Sequence, residues 1–139
     1  MEGKPIKVFN HGDLYRDFTY IDDIVDGISN IINNPISKNF SSLSKEESPQ
    51  GEVVDNQQAP YKVYNIGNST PVKLMDFIET IEKSLEKEAV KEYHDMQPGD
   101  VYKTFADVSA LEKDFGYSPD TPLSKGINEF VKWYKSYYK

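Results

Sequence analysis

The sequence of 139 residues contains no cysteine, which excludes several kinds of site. Without thiols the chain can form no disulfide bond, no zinc–thiolate centre and no cysteine nucleophile. Its two histidines, His11 and His94, are far apart in the sequence and have no cysteine or second histidine beside them, so we expect no metal site. A chain without cysteine suits a reducing compartment, and we expect a cytoplasmic protein.

Long apolar runs and an excess of positive charge are also lacking. No stretch is apolar enough to span a membrane, and the N-terminus shows no signal-peptide pattern. The formal net charge is −7, whereas a general nucleic-acid binder needs clustered lysine and arginine. We therefore expect neither membrane nor nucleic acid among the partners. The length, with 28% charged and 37% hydrophobic residues, predicts one globular domain.

The most informative stretch of the sequence is Phe9–Asp23. Near its start, Asn10–Asp13 contains residue types that tolerate tight or left-handed turns. Further on, Phe18–Ile21 is aromatic and β-branched, which predicts a short strand. Arg16 lies between the two, where a guanidinium can give two parallel hydrogen bonds to a phosphate or a carboxylate. The alternative for this arginine is a surface ion pair with a nearby aspartate.

Alternating apolar residues predict three further strands, at Lys4–Phe9, Lys62–Gly67 and Ala89–Met96. The last is followed by Gln97–Asp100, which has the composition of a tight turn. Residues 36–60 are polar and aperiodic, and we predict a flexible insertion loop there, either a surface insertion or a lid over a site. No Gly-x-Gly-x-x-Gly pattern follows a strand, so no loop that cradles a phosphate is predicted.

Apolar residues at three- and four-residue spacing predict four helices. The first begins at Asp22 or Asp23 and ends at residues 33–35, and the second begins between Thr70 and Lys73. The third spans Val108–Phe115 and is capped by Asp107. The last begins with Thr121 as its cap and Pro122 as its first residue. The stripes of the first and last helices are predicted to be core: Ile24, Ile28, Ile31 and Ile32, and Leu123, Ile127, Phe130, Val131, Tyr134 and Tyr138. Trp133 and Tyr137 lie off the last stripe, either half exposed or facing a partner domain.

Four blocks resemble, in the same order, the substrate-binding part of the extended short-chain dehydrogenase/reductases. The blocks are Arg16–Ile28, Tyr64–Asn68, Met96–Val101 and Ala106–Leu111. They are most similar to nucleotide-sugar epimerases, especially the UDP-glucuronate 4-epimerase or capsular polysaccharide epimerase type. The resemblance covers nearly the whole chain except roughly residues 36–60. It implies that residues 1–139 are a C-terminal UDP-sugar-binding domain with an α/β fold, in which helices flank a small mixed or parallel sheet.

The resemblance also implies site residues. In related epimerases an aromatic residue at the end of the first strand stacks on the uracil ring, which places Phe9 and the backbone of Val8 in the site; a core aromatic is the alternative for Phe9. Arg16 would grip the diphosphate. Asp100 would accept hydrogen bonds from the ribose hydroxyls, unless it is a turn aspartate that bonds its own backbone. Related epimerases place an arginine three residues before this aspartate, where it grips the diphosphate. This chain has Gln97 there, as glucuronate-type members tend to have.

Two features of these enzymes are missing from the chain. One is the glycine-rich loop that binds NAD, and the other is the Tyr-x-x-x-Lys pair that moves protons, since none of the ten tyrosines has a lysine four residues later. The resemblance therefore implies one half of an NAD-dependent UDP-sugar 4-epimerase, which oxidises C4, turns the keto intermediate and returns the hydride. This half would hold the UDP group while its N-terminal half binds NAD.

By itself the fragment is expected to be inactive and to bind no cofactor, because the hydride chemistry belongs to NAD. The face that would pack against the dinucleotide-binding half would expose apolar surface when that half is absent, so we expect the fragment to self-associate. Alternatives are a nucleotide-sugar dehydratase or decarboxylase of the same superfamily and a non-catalytic interaction domain.

Overall fold

The computed structural model describes residues 3–34 and 62–138. The predicted insertion loop at residues 36–60 lies outside this described part. In chain order the elements are β1 (Ile6–Val8), a 3₁₀ turn (Phe9–Gly12), β2 (Tyr15–Arg16), α1 (Ile21–Asn33), β3 (Val72–Lys73), α2 (Leu74–Leu85), β4 (Lys91–Tyr93), α3 (Ser109–Phe115) and α4 (Leu123–Tyr137). None of the described helices combines the length and the apolar character that crossing a membrane requires.

The strands form two small pairs flanked by the helices. Parallel strands β1 and β4 place Val8 opposite Tyr93, and antiparallel strands β2 and β3 place Arg16 opposite Val72. Because β1 and β4 come from distant parts of the sequence, the intervening helix α2 belongs to a parallel crossover of the kind found in α/β folds. The predicted α/β class, with helices around a small mixed or parallel sheet, is confirmed.

The core lies between α2, α4 and the first strand. Its buried apolar side chains come from β1, from α2, α3 and α4, and from two connecting segments: Val8, Leu14, Ile78, Val108, Leu111, Ile127 and Val131. Val8 and Leu111 are fully enclosed.

The strand predicted at Phe18–Ile21 is wrong, and the start of α1 differs from the prediction. Phe18 stacks flat on Phe77 of α2, with 4.0 Å between ring centroids, so packing rather than strand pairing fixes this aromatic residue. Helix α1 begins at Ile21 after Tyr20, and no side chain caps it. Asp23 is instead buried within the first turn of α1.

The strand predicted at Lys62–Gly67 is also wrong. Its neighbouring amides bond to side chains rather than to another strand: Asn68 donates to the Thr19 hydroxyl at 3.2 Å and Ser69 to the Asp17 carboxylate at 3.1 Å. The strands predicted at Lys4–Phe9 and Ala89–Met96 are confirmed only in their central residues, as β1 and β4.

Local signals at the other helix ends are confirmed more closely. Helix α2 begins directly after Lys73, the later of the two predicted starts. Helix α4 begins at Leu123, one residue later than predicted, with Pro122 rather than Thr121 in the cap position and no side chain capping it. Asp107 accepts a hydrogen bond from the Ser109 amide at 3.0 Å, and Ser109 holds the pKa of this carboxyl below its usual value. Gly116 ends α3 with a left-handed φ of +62°.

The predicted core stripes are wrong for several residues. On α4, Ile127 and Val131 are buried as expected, but Phe130 and Tyr138 are exposed. On α1, Ile28 and Ile32 are exposed because the helix turns Asp23 and Gly27 inward. Trp133 and Tyr137 are at least half exposed, as one of the two interpretations predicted.

Candidate substrate-binding site

Arg16, the only arginine of the chain, ends β2 in an ion pair with Asp100. The Arg16 Nη2 donates to Asp100 Oδ1 at 2.7 Å, and Nη1 donates to the carbonyls of Tyr15 at 2.8 Å and Tyr102 at 3.4 Å. About a quarter of each charged side chain is exposed, 24% for Arg16 and 28% for Asp100. These three bonds use three of the five guanidinium N–H groups.

The backbone brings the two charged residues together. The Tyr15 amide donates to the Tyr102 carbonyl at 2.9 Å and the Thr104 amide donates to the Tyr15 carbonyl at 3.2 Å, so residues 102–104 run beside β2. Asp100 closes the predicted turn, with its amide bonded to the Gln97 carbonyl at 3.1 Å. Gly99 in this turn has a φ of +83°, which favours glycine. The predicted turn is therefore confirmed.

Tyr102 and Asp13 form a contact that sequence reasoning missed. The Tyr102 hydroxyl donates to Asp13 Oδ1 at 3.1 Å, and this carboxylate raises the pKa of the tyrosine. The Tyr102 ring also lies against that of Tyr15, with 5.8 Å between centroids. Because the Tyr102 carbonyl accepts from Arg16, these contacts help to hold the arginine. No local spacing in the sequence signals a pair this far apart.

Phe9 and Val8 lie at the carboxyl end of β1. Val8 is fully buried, and its carbonyl accepts from the His94 amide at 2.9 Å. The half-buried Phe9 ring packs against His94 at 5.6 Å between centroids. The carboxyl ends of parallel strands are where α/β proteins commonly bind ligands.

The four predicted site residues thus form two groups, Arg16 with Asp100 and Val8 with Phe9. A turn links the groups: Asn10 and His11 have left-handed φ values of +46° and +51°, and the Asn10 amide group donates to the Asp13 carbonyl at 2.7 Å. The Asp13 carboxylate in turn accepts a hydrogen bond from the Tyr102 hydroxyl, so a continuous series of contacts runs from the end of β1 to Arg16.

A largely apolar cavity lies at a different place in the fold. It has a volume of about 560 Å³, and its lining includes Phe18, Tyr20, Ile21, Phe77, Phe130 and Trp133. None of the four predicted site residues lines it. Over residues 3–34 and 62–138, no group of three or more His, Cys, Asp or Glu side chains is placed to hold a metal ion.

Comparison with known proteins gives the family. Residues 2–130 match the sequence model of a protein family that is described as GDP-mannose 4,6 dehydratase. The chain belongs to this family. It is 51% identical over 134 residues to Protein CapI of Staphylococcus aureus, across 96% of this chain and 39% of that protein. It is 36% identical to a probable UDP-glucuronate 4-epimerase of Rhizobium meliloti, across 99% of this chain and 39% of the relative.

Solved structures agree with these relatives. A variant UDP-glucuronic acid 4-epimerase from Bacillus cereus, in complex with UDP-4-deoxy-4-fluoro-glucuronic acid and NAD, matches with a TM-score of 0.73 and 28% identity, across 99% of this chain and 37% of that chain. The predicted resemblance to the nucleotide-sugar epimerases of the short-chain dehydrogenase/reductase superfamily is confirmed. The chain spans between 30% and 40% of the length of these curated relatives.

Proposed function

We propose that this chain is the UDP-binding portion of an NAD-dependent nucleotide-sugar 4-epimerase of the UDP-glucuronate or UDP-glucose class. The observation that carries the proposal is the placement of Arg16, whose guanidinium is fixed by Asp100 and two carbonyls and has two further N–H groups that bond to none of the described residues. A diphosphate suits such a donor, because guanidinium and phosphate form short, charge-assisted hydrogen bonds. The epimerase relatives support the same substrate class.

Each predicted residue has a role that its environment allows. Phe9 stacks on the uracil ring, at the strand end where Val8 supplies backbone groups. Arg16 holds the diphosphate. Asp100 accepts from the ribose hydroxyls, since a carboxylate offers about four lone-pair positions and Arg16 and the Val101 amide occupy two.

The described residues around β1 do not fit an NAD site. Strand β1 is followed by a 3₁₀ turn rather than by a helix, and the single glycine of that turn, Gly12, is buried against Met75. A dinucleotide-binding loop needs several glycines and the N-terminus of a helix for its pyrophosphate. We therefore assign NAD, which supplies the hydride chemistry, to an N-terminal half of a longer polypeptide. The chain alone is then inactive.

A dehydratase acting on a nucleotide sugar is the second candidate, because the matching family model is described as GDP-mannose 4,6 dehydratase. This portion would hold the nucleotide in either enzyme, and the residues around the nicotinamide would decide between the two reactions.

Calorimetric titration of UDP into the chain tests the proposal. We expect binding that weakens at least about tenfold in Arg16→Gln, the size expected when a charged hydrogen-bond donor is lost. Lys83→Gln is the matched control, since Lys83 is 80% exposed on α2. Absence of binding by the unaltered chain, or binding that Arg16→Gln leaves unchanged, would favour the interaction domain. Turnover of UDP-glucuronate by the chain with added NAD would contradict the assigned inactivity.

A further inference from the structure

Asp17, which follows Arg16 directly, connects the end of β2 to two other segments of the chain. Its Oδ2 atom accepts hydrogen bonds from the Ser69 amide at 3.1 Å and from the Ala106 amide at 3.0 Å. Its own amide donates to the Thr104 hydroxyl at 3.1 Å. Ser69 and Ala106 lie 52 and 89 positions further along the sequence, so one carboxylate holds together three distant stretches of the chain.

The two segments that Asp17 joins also pack against each other. The Ser69 hydroxyl donates to the Ala106 carbonyl at 2.6 Å. A Cβ atom on Gly67 would overlap the Ala106 methyl group and lie 3.3 Å from Asp17 Oδ2, so the backbone approaches the carboxylate closely at this point. These contacts leave little room for the Asp17 side chain to adopt another position.

Two features that cost free energy meet at the same carboxylate. Asp17 Oδ1 is buried and has no hydrogen-bond partner among the described residues, and a buried polar atom without a partner is unfavourable. Ser69 has a φ of +55°, a left-handed value that favours glycine. Such features persist where the surrounding structure imposes them, and they cluster at functional sites. Asp17 therefore needs an explanation other than stability.

The contacts of Asp17 reach Arg16 through the backbone. Thr104, whose hydroxyl accepts from the Asp17 amide, donates its own amide to the Tyr15 carbonyl at 3.2 Å. The carbonyls of Tyr15 and Tyr102 are the two that hold Arg16 Nη1. The backbone groups that fix the guanidinium thus belong to the pair of segments that Asp17 joins.

We propose that Asp17 is a positioning residue for the diphosphate, because it holds these two segments in the register in which Arg16 can face the nucleotide. Asp17 Oδ2 accepts from backbone amides rather than from the guanidinium, so its effect on the nucleotide passes through Arg16. The inference rests on the proposed function, since it names a further residue of the same site. Its two parts are separable: Asp17 immobilises the guanidinium, and this immobilisation strengthens UDP binding.

The first part can be measured without any ligand. Because Arg16 is the only arginine, its Nε–H gives a single signal in ¹⁵N NMR spectra, and relaxation of this signal reports motion of the side chain. In Asp17→Ala we expect the Nε order parameter to fall below about 0.6, the range of flexible groups. Asp17→Asn should keep the signal of the unaltered chain, since an amide oxygen can still accept both backbone amides.

Glu82→Ala is the matched control for Asp17→Ala. It also removes one negative charge and one carboxylate that accepts from a backbone amide, that of Ala89 at 2.7 Å. Its contacts lie at the end of α2, so the Arg16 signal and the affinity for UDP should not change. Thr104→Val gives a milder second variant, because it removes the hydroxyl that accepts from the Asp17 amide and nearly keeps the shape of the side chain.

Calorimetric titration of UDP measures the second part. Asp17→Ala should weaken UDP binding at least about fivefold and Thr104→Val about threefold, the sizes expected for lost hydrogen bonds. In the Arg16→Gln background neither substitution should weaken it further, since both act through the guanidinium. Asp17→Asn should restore the affinity of the unaltered chain to within about twofold.

Several results would overturn the proposal. One is an unchanged Arg16 signal in Asp17→Ala and Thr104→Val, and another is an equal loss of UDP affinity with and without Arg16, which a merely structural role would give. Tighter UDP binding by Asp17→Ala would show that Asp17 only repels the diphosphate. Unfolding of both variants would make Asp17 a residue of the fold alone. A mobile guanidinium in Asp17→Ala, in a chain that never binds UDP, would support the positioning and contradict the proposed function.

Discussion

Asp23 and Thr121 join the starts of α1 and α4 through two hydrogen bonds, although they lie 98 residues apart in the sequence. The Thr121 hydroxyl donates to Asp23 Oδ1 at 2.7 Å, and its amide donates to Oδ2 at 3.1 Å. Both residues are only 8% exposed. A buried carboxylate is tolerated here because each of its oxygens has a donor.

We expect Asp23→Asn to destabilise the fold by about 1 kcal/mol, because two hydrogen bonds to a charged carboxylate become weaker neutral ones, with the new amide donating to the Thr121 hydroxyl. Urea denaturation at neutral pH measures the free energy of unfolding. Asp22→Asn is the matched control, since Asp22 is the exposed neighbour on the same helix. An Asp23→Asn protein as stable as the control would show that the pair contributes little.

Asp100 allows a second test of the nucleotide site. If it accepts from ribose and also orients Arg16, Asp100→Asn should weaken UDP binding by about tenfold. Calorimetry at constant ionic strength gives the affinity, and Asp120→Asn at an exposed position controls for the change in net charge. Tighter UDP binding by Asp100→Asn would instead mean that Asp100 competes with the diphosphate for Arg16, contrary to its assigned role.

Glu82 and Lys91 connect the end of α2 to β4, and their pair predicts a pH dependence. Hydrogen bonds from Lys91 and from the Ala89 amide hold the pKa of Glu82 below its usual 4.5, while Glu82 raises the pKa of Lys91 above 10.5. The stability that Glu82 contributes is therefore present above pH 4.5 and is lost as the pH falls through its lower pKa in the folded state. The contribution from Lys91 is lost as the pH rises above 10.5.

We accordingly expect Glu82→Gln to flatten the acid limb of the stability curve, measured as the urea midpoint at decreasing pH. Glu79→Gln, which removes an exposed carboxylate whose lysine partner lies 3.9 Å away, should keep the limb of the unaltered chain. An acid limb of the same steepness in Glu82→Gln and the unaltered chain would show that other carboxylates govern acid unfolding.

The packing around Gly67 leaves no space for an added methyl group, and this predicts a loss of stability in Gly67→Ala. A Cβ atom at this position would overlap the side chain of Ala106, and the Asp17 carboxylate would lie 3.3 Å away. We expect Gly67→Ala to cost about 1–3 kcal/mol, as overpacking does, measured as a fall in Tm. Adding Ala106→Gly removes the overlap and should restore part of the stability. A double variant less stable than Gly67→Ala would mean that overlap with Ala106 is not the cause.

The elements that the sequence predicted correctly depend on neighbouring residues. Gly116 ends α3, and Gly99 lies in the predicted turn at Gln97–Asp100, because helix ends and turns are decided within a few positions. The errors have another origin: the apolar spacing of Ile28 and Phe130 shows which side chains share a helix face, but the spacing carries no information about what covers that face. Phe18 was assigned to a strand because an aromatic residue suits a strand and a packed turn equally well.

Only part of the candidate site could be predicted from the sequence. The resemblance selected Arg16 and Asp100, and the structure joins them; whether they hold a nucleotide stays a prediction. Their supports, Asp13 and Tyr102, were missed because a hydrogen bond between residues 89 positions apart leaves no local pattern. His94, the ring against Phe9, was missed for the same reason.

The parallel pairing of β1 with β4 has a consequence for biosynthesis. Strand β1 emerges from the ribosome long before β4, the strand with which it pairs. Arg16 likewise emerges long before Asp100, its ion-pair partner 84 residues downstream. Contacts between such distant residues make folding slow, and edges left waiting are prone to aggregate. In a nascent polypeptide with this topology, β1 and Arg16 therefore lack their partners until synthesis passes Asp100, and the open strand edge is exposed to aggregation during that time.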